Sequence, residues 1–277
     1  MEGSSRHSLA ALRSQLDDIV RPGPGQRPEA ARFEALAEQL FSVSDLLDEQ
    51  IVLRRTLADP GVPALARTSL LDQVLRGQVG RDTLRVLHAV VGSRWSRPAD
   101  FGRAVEMLGA ESLLASAQAR GTLDDVEDQL FRFGRIVDGQ PELSLALSNP
   151  ALPAQRKSAL LEALLAGRAQ PTTVRLIDRA ATGPFRQPLD RTLAELAELA
   201  AQRRNRLVAV VTVARPLDDD QVARLRSAVG HAFGREVGIE VSIDPAMLGG
   251  VVVRVQDEII DGSIATRLNE IRQRMSR

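Results

Sequence analysis

Cysteine is absent from the 277 residues, and disulfides, thiolate nucleophiles and cysteine-ligated metals are absent with it. Tyrosine is missing too, Trp95 is the single tryptophan, and phenylalanine occurs seven times. Three histidines, His7, His88 and His231, lie too far apart to build a histidine metal cage. Neither sign of charge dominates: thirty-six Lys plus Arg balance thirty-six Asp plus Glu. That balance excludes a chain that works by blanketing nucleic acid phosphates or an anionic membrane. Lysine is nearly lacking, since Lys157 stands alone among the thirty-six basic residues, a bias that fits a GC-rich genome better than a function. Long apolar runs are also lacking. Stretches such as Leu207 to Val211 fall far short of the roughly 20 residues that span a bilayer. The opening MEGSSRHS has no basic-then-apolar pattern of a signal peptide. The expectation is a soluble cytoplasmic chain that reaches a membrane only through a partner.

What is present begins with the length, which suits two or three domains at about 100–200 residues each. A hydrophobic fraction of 44% with 26% charge is ordinary for a folded chain. Sliding the sequence against itself by ninety residues, without gaps, gives eighteen identities in the sixty-two positions from Gln39 to Asp100. Composition alone gives roughly five in such a window, so the match marks a duplication. The pairs include Leu40/Leu130, Phe41/Phe131, Leu57/Leu147, Pro60/Pro150, Pro63/Pro153, Arg85/Arg175, Pro98/Pro188 and Asp100/Asp190. Trp95 falls opposite Phe185. Ninety residues can build a small bundle, so this is a duplicated module, not a solenoid.

Each copy reads as helices. Leu70, Leu71, Val74 and Leu75, and their counterparts Leu160, Leu161, Leu164 and Leu165, form apolar stripes at helical spacing. Asp59-Pro60 and Asn149-Pro150 stop the preceding helix, and Pro63 and Pro153 suit the start of the next. ArgProGlyProGlyGln at 21–26 is a loop that breaks the first copy where the second runs on. After about Arg206 the period changes. Leu207–Val213 is β-branched and short, which predicts a strand. A helix opens at Asp218-Asp219-Asp220 with Val222, Leu225, Val229 and Phe233 on its apolar face. Strands are expected at 240–242, 250–255 and 258–260, then a last helix carrying Ile264, Leu268, Ile271 and Met275. The fold class is therefore mainly α: two tandem helical-bundle modules, 1–103 and 104–205, followed by a small α+β domain, 206–277, in the order β-α-β-β-β-α.

Catalytic patterns are scarce. There is no G-x-x-x-x-G-K loop, no G-x-S-x-G elbow and no H-E-x-x-H. Asp257, Glu258 and Asp261 suggest an acid or metal cluster only weakly, because Asp261-Gly262 is also the chemistry of a hairpin turn. Arg203, Arg204 and Arg206 suit a solvated helix end better than a phosphate site in so neutral a chain. His231 suits a helix C-terminus, and Trp95 and Phe185 suit core anchors. No cofactor and no metal are implied.

One stretch is more specific. Ile243-Asp-Pro-Ala-Met-Leu-Gly-Gly-Val-Val-Val-Arg-Val255, then Asp257 and Ile260-Asp-Gly-Ser-Ile264, resembles the C-terminal signature of the ATP synthase delta subunit family. That family includes the mitochondrial oligomycin-sensitivity-conferring protein. The signature residues are Asp244, Leu248, Gly249, Gly250, Arg254, Asp257, Asp261, Gly262 and Ser263. Their roles read as structural. Gly249-Gly250 permits a bulge at a strand start, Asp261-Gly262 makes a tight turn, and Asp261 or Ser263 caps the closing helix. Gln256 departs from the family, where glycine is usual before the aspartate. Residues from about Ala104 onward, including 117–130, match a whole ordinary delta subunit in order and kind, so 1–103 is an extra helical copy of the kind found in long actinobacterial forms. No apolar anchor is present, which resembles the type not fused to a b-like segment.

The resemblance implies a non-catalytic peripheral-stalk, or stator, subunit of a proton-translocating F-type ATP synthase, held at the cytoplasmic face of the membrane. It implies that the helical domain 104–205 receives the N-terminal helix of an alpha subunit and that 206–277 meets the membrane-anchored b subunit. Rival readings are a helical adaptor of another assembly, a six-helix RNA-binding module and a hydrolase built on Asp257.

Overall fold

The computed structural model describes residues 1, 3–20, 30–185, 187–204, 207–233, 237–245, 247, 249–255 and 258–263. The chain divides into two compact units, one ending at Arg203 and the other carried by the residues that follow. The first unit holds α1 (Gly3–Ile19), α2 (Ala30–Glu49), α3 (Ile51–Ala58), α4 (Ala64–Leu75), α5 (Arg81–Gly92) and α6 (Pro98–Arg120). It continues with α7 (Leu123–Gly139), α8 (Pro141–Ser148), α9 (Ala154–Leu165), α10 (Pro171–Thr182) and α11 (Leu189–Arg204).

The duplication is visible element by element. Helices α3, α4 and α5 recur ninety residues on as α8, α9 and α10 with the same bounds. Small devices recur as well. The Gln39 carboxamide oxygen accepts from the Gly80 amide at 2.7 Å and the Thr83 hydroxyl at 2.6 Å, satisfying the N-terminus of α5. Gln129 does the same for α10, accepting from the Gln170 amide at 2.8 Å and the Thr173 hydroxyl at 2.7 Å. Asp59 and Asn149 each close an Asx turn, taking the Gly61 and Ala151 amides at 2.8 and 2.9 Å. Pro63 and Pro153 stand one place outside the helices they introduce. Arg67 reaches the Val91 carbonyl at the end of α5, and Lys157 reaches that of Ala181 at the end of α10. The chain's one lysine is thus 1% exposed and occupies the place of a buried arginine.

The expected boundary at 103/104 does not separate two bodies, because it falls inside α6. Through Pro98/Pro188 and Asp100/Asp190, α6 matches α11 and closes the first bundle. The same helix leads into α7 as α1 leads into α2, and so opens the second. From Asp100 to Ala117 every residue of α6 is buried or half-buried, and one hydrophobic core runs from Leu9 to Ala200. A helix covered on all sides is central by necessity. The two copies share it.

Glycine lets that shared helix approach its neighbours closely. A Cβ on Gly109 would lie 2.6 Å from the Phe41 ring of α2, and one on Gly102 would overlap the ring of Phe185. Trp95 is a core anchor: its indole N–H donates to the Val90 carbonyl at 2.9 Å and its ring meets Phe101 edge-on at 6.1 Å. Phe185 is half-buried, with the Arg54 guanidinium 5.1 Å from its centroid.

The second unit has β1 (Leu207–Val213), α12 (Asp219–Phe233), β2 (Val237–Ile243), β3 (Gly250–Val255) and β4 (Glu258–Ser263). The sheet order is β2-β1-β3-β4. The β1-α12-β2 crossover makes the β1/β2 pair parallel, and β3 and β4 add antiparallel strands. Ala209, Val211, Val213, Val237, Ile239, Val253 and Val255 bury one face with Val222 and Val229 of α12. The Asp218 carboxylate accepts from the Gln221 amide at 2.7 Å while Gln221 reaches back to the Asp218 amide at 3.0 Å, a capping box. His231 lies exposed in the last turn of α12. The 21–26 loop and the helix expected from Ile264 lie outside the described residues.

Candidate functional site

Of the described signature residues, Asp244, Gly249, Gly250, Asp261, Gly262 and Ser263 gather toward one end of the sheet, and Arg254 lies toward the other. At one end, the Asp244 amide donates to the Val213 carbonyl at 2.9 Å and its own carbonyl accepts from Met247 at 3.1 Å, turning the chain out of β2. Gly249 and Gly250 then adopt φ of 135° and 89°, a backbone region that any side chain would strain. The strand start therefore requires both glycines. Gly250 pairs with Ser263, and Arg254 lies near the other end of β3. Five steps along the strand, about 17 Å, separate Gly250 from Val255. Arg254 is exposed on the face away from buried Val253 and Val255. Leu248 and Asp257 lie outside the described residues.

The tight turn expected at Asp261-Gly262 is corrected by the strand register. Asp261 pairs with Val252, Gly262 with Val251 and Ser263 with Gly250, so all three belong to β4. The local preference of Asp-Gly for turns yields to a ladder already set by Val255 opposite Glu258.

The helical unit carries its charge in pairs. Arg179 of α10 donates to Glu106 of α6 at 2.9 and 2.6 Å and to Asp45 of α2 at 3.1 and 3.0 Å. Its guanidinium also lies 4.6 Å from the Phe41 centroid. Burial disfavours this cation, but the two carboxylates outweigh it and raise the pKa further above the ordinary arginine range. Arg203 was expected on a solvated helix end, and the structure overturns that. It is 3% exposed and reaches Glu111 of α6 at 3.2 Å and Asp17 of α1 at 2.6 Å. Burial again works against the charge, and Asp17 with Glu111 raises the pKa above the usual value. Arg13 joins Glu111 at 3.4 Å. Arg32 holds Asp82 at 2.5 and 2.8 Å; that hydrogen bonding lowers the Asp82 pKa, partial burial opposes it, and the charges of Arg32 and Arg85 reinforce the lowering.

These arrangements neutralise charge and join helices. They aim no unpaired acid, base or nucleophile into a cleft. The cavity bounded by Phe41, Arg103, Glu106, Leu176, Arg179 and Phe185 has its cations engaged, Arg103 by Glu195 and Arg179 by Glu106. Among the described residues there is no cluster of three or more His, Asp or Glu suited to a metal ion, and no helix long and apolar enough to cross a membrane. Sequence reasoning missed the ion-paired residues, whose partners lie up to 186 positions apart. The only signal was a charged residue within an otherwise apolar stretch, as at Glu111.

Comparison with known proteins agrees with the signature. The profile described as ATP synthase delta (OSCP) subunit matches residues 109–275, beginning inside the shared helix. The ATP synthase subunit delta of Frankia alni is 46% identical over 277 residues, covering 100% of both chains. Those of Acidothermus cellulolyticus and Streptomyces griseus are each 45% identical, again over 100% of both chains. The match thus extends through the first copy as well as the second, and the chain belongs to the ATP synthase delta (OSCP) subunit family.

Proposed function

We propose that the chain works as a tether in the peripheral stalk of a proton-translocating ATP synthase, without catalysis of its own. The observation that carries this is full-length identity of 46% to a protein named ATP synthase subunit delta. The ion pairs support it: Arg179 and Arg203 are engaged in joining helices, as a load-bearing part requires. In this reading the helical unit receives the N-terminal helix of an alpha subunit of the catalytic head, an amphipathic helix on an apolar face. The strand unit engages the membrane-anchored b subunit, which places the chain peripherally at the cytoplasmic face. Two modest contacts to parts of one assembly reinforce each other through effective concentration. The head is then held against rotation with the rotor.

The test is affinity purification of the tagged full chain from its own cells. The head subunits and the b subunit should copurify in fixed proportion. A chain recovered folded but free of both would overturn the tether. Calorimetry with an alpha-subunit N-terminal peptide and the full chain tests the first contact, and no heat at high micromolar peptide would remove it from the proposal.

A further inference from the structure

The duplication supplies an internal comparison for one exposed aromatic. Phe41 and Phe131 are the same position of the two copies, on α2 and α7. Phe41 is 5% exposed and Phe131 is 59% exposed. Phe41 is covered from two directions: by α6 at Gly109, and by α10, whose Arg179 lies over its ring and whose Arg175 pairs with Glu38. In the second copy Leu199 of α11 takes the place of Gly109, and among the described residues α11 is the last helix of the helical unit, ending at Arg204. The face that the first copy buries against a helix is open in the second.

We propose that the outer face of α7, centred on Phe131, docks an amphipathic helix of another chain, lying as α10 lies on α2. Its charge pattern follows from what flanks the ring. Glu38, which meets Arg175, corresponds to Asp128; Asp45, which meets Arg179, corresponds to Arg135. Both Asp128 and Arg135 are exposed, and Asp128 also meets Arg132 of its own helix at 2.9 Å, an exposed pair that costs little to exchange for another cation. The fitting helix runs parallel to α7, sets a basic residue against Asp128 where Arg175 meets Glu38, and about one turn later, where Arg179 lies, sets a glutamate with its methylene stem over the Phe131 ring and its carboxylate against Arg135. Helix α7 carries five acidic residues against two arginines, so an anionic lipid surface or a nucleic acid is the poorer occupant. A second copy of this chain is poorer as well. It would offer α5, where Arg85 suits Asp128 but Ala89 stands where a carboxylate is needed.

The experiment has two arms, the second of which rests on the stalk reading. In the first, the isolated full chain is titrated with a synthetic helical peptide bearing arginine and, four residues on, glutamate. Phe131→Ala should weaken binding about tenfold, as loss of the ring's buried apolar contact with the docked helix predicts. Exposed Val52 of the first copy serves as control, and Val52→Ala should leave binding unchanged. Reversing the peptide's two charges should also weaken binding, and the charge-reversed pair Asp128→Arg with Arg135→Glu should restore it. Equal binding by Phe131→Ala and the unaltered chain, or by both peptides, overturns the proposal. In the second arm a photo-cross-linking amino acid replaces Phe131 in the assembled complex. An adduct on a helix of another subunit, with a basic residue and a carboxylate about one turn apart, supports the docking; an adduct confined to this chain, a second copy or lipid overturns it. A chain that fails to enter the complex defeats the stalk reading, while the peptide arm still decides this one.

Discussion

Alanine at Gly109 should destabilise the helical unit, although glycine inside a helix is ordinarily the worse residue. The added Cβ would sit 2.6 and 2.8 Å from two ring carbons of Phe41 and 3.2 Å from a third. Ordinary contact begins near 3.4 Å, so the ring must retreat by most of an ångström. Its retreat is opposed by Arg179, stacked 4.6 Å from the ring centroid and fixed by Asp45 and Glu106. Overpacking of this kind costs about 1–3 kcal/mol. Replacing helical glycine with alanine returns about 1 kcal/mol. At Gly134 of α7 the new Cβ would meet only the Leu193 Cβ at 3.9 Å, so the second effect acts there alone. The two variants should therefore differ by about 1–3 kcal/mol, with Gly134→Ala the more stable. At about 2–4 °C per kcal/mol for a unit of this size, thermal unfolding should separate them by several degrees. In a Phe41→Leu background the clash is gone, and Gly109→Ala should become neutral or stabilising. Equal stabilisation by both alanines in the unaltered background would refute the close approach of α2 and α6.

Three further outcomes follow from the same contacts. Arg203→Met takes from the wholly buried Glu111 the cation 3.2 Å from its carboxylate and should cost about 3–5 kcal/mol in denaturant unfolding; a loss below about 1 kcal/mol would contradict the buried network. Gln39→Leu and Gln129→Leu each strand a buried threonine hydroxyl and a helix-start amide, so each should cost about 1–3 kcal/mol, similarly in both copies; a response in only one copy would mean that the caps are not equivalent. Asp82 has a pKa lowered in the folded state, so its contribution is present above the unfolded value near 3.9 and is lost as pH falls through the folded one. Asp82→Asn should flatten the fall in thermal stability from pH 5 toward pH 3, and an unchanged slope would count against the Arg32 contact.

The sequence was informative where structure is local or repeated. Leu207–Val213 and Gly250–Val255 read as strands and are strands with those bounds, because β-branched runs leave little choice of period. The ninety-residue offset placed Pro60 with Pro150 and Trp95 with Phe185 before any coordinates were needed. Non-local pairing was illegible. Asp261-Gly262 reads as a turn on its own and becomes strand only because β3 is already there to pair with it. Arg203 reads as a solvated end because Asp17 and Glu111 are remote in sequence. The double role of α6 was hidden for a related reason. Its match to α11 survives an ungapped shift of ninety, but ten residues lie between α1 and α2 against two between α6 and α7, so that shift does not set α6 against α1.

The shared helix changes what the extra copy is mechanically. Two modules joined by a linker would bend at the linker, and a stator with a soft joint would yield to the rotor before transmitting the reaction force. Here the joint is α6, 23 residues and about 34 Å of continuous helix. Ion pairs flank it: Arg179 of the second copy with Asp45 of the first, Arg175 with Glu38, and Arg203 with Asp17. Bending the copies apart would kink a helix with no proline beyond its first position and would strip the largely buried Arg179 and Arg203 cations of carboxylates that are themselves partly exposed. Leaving a largely buried guanidinium without its carboxylate is costly, as at Arg179 and Arg203, whereas the exposed Arg175–Glu38 pair adds little. A duplication that shares its central helix therefore lengthens the helical unit without adding a hinge, which is what a longer tether of undiminished stiffness requires.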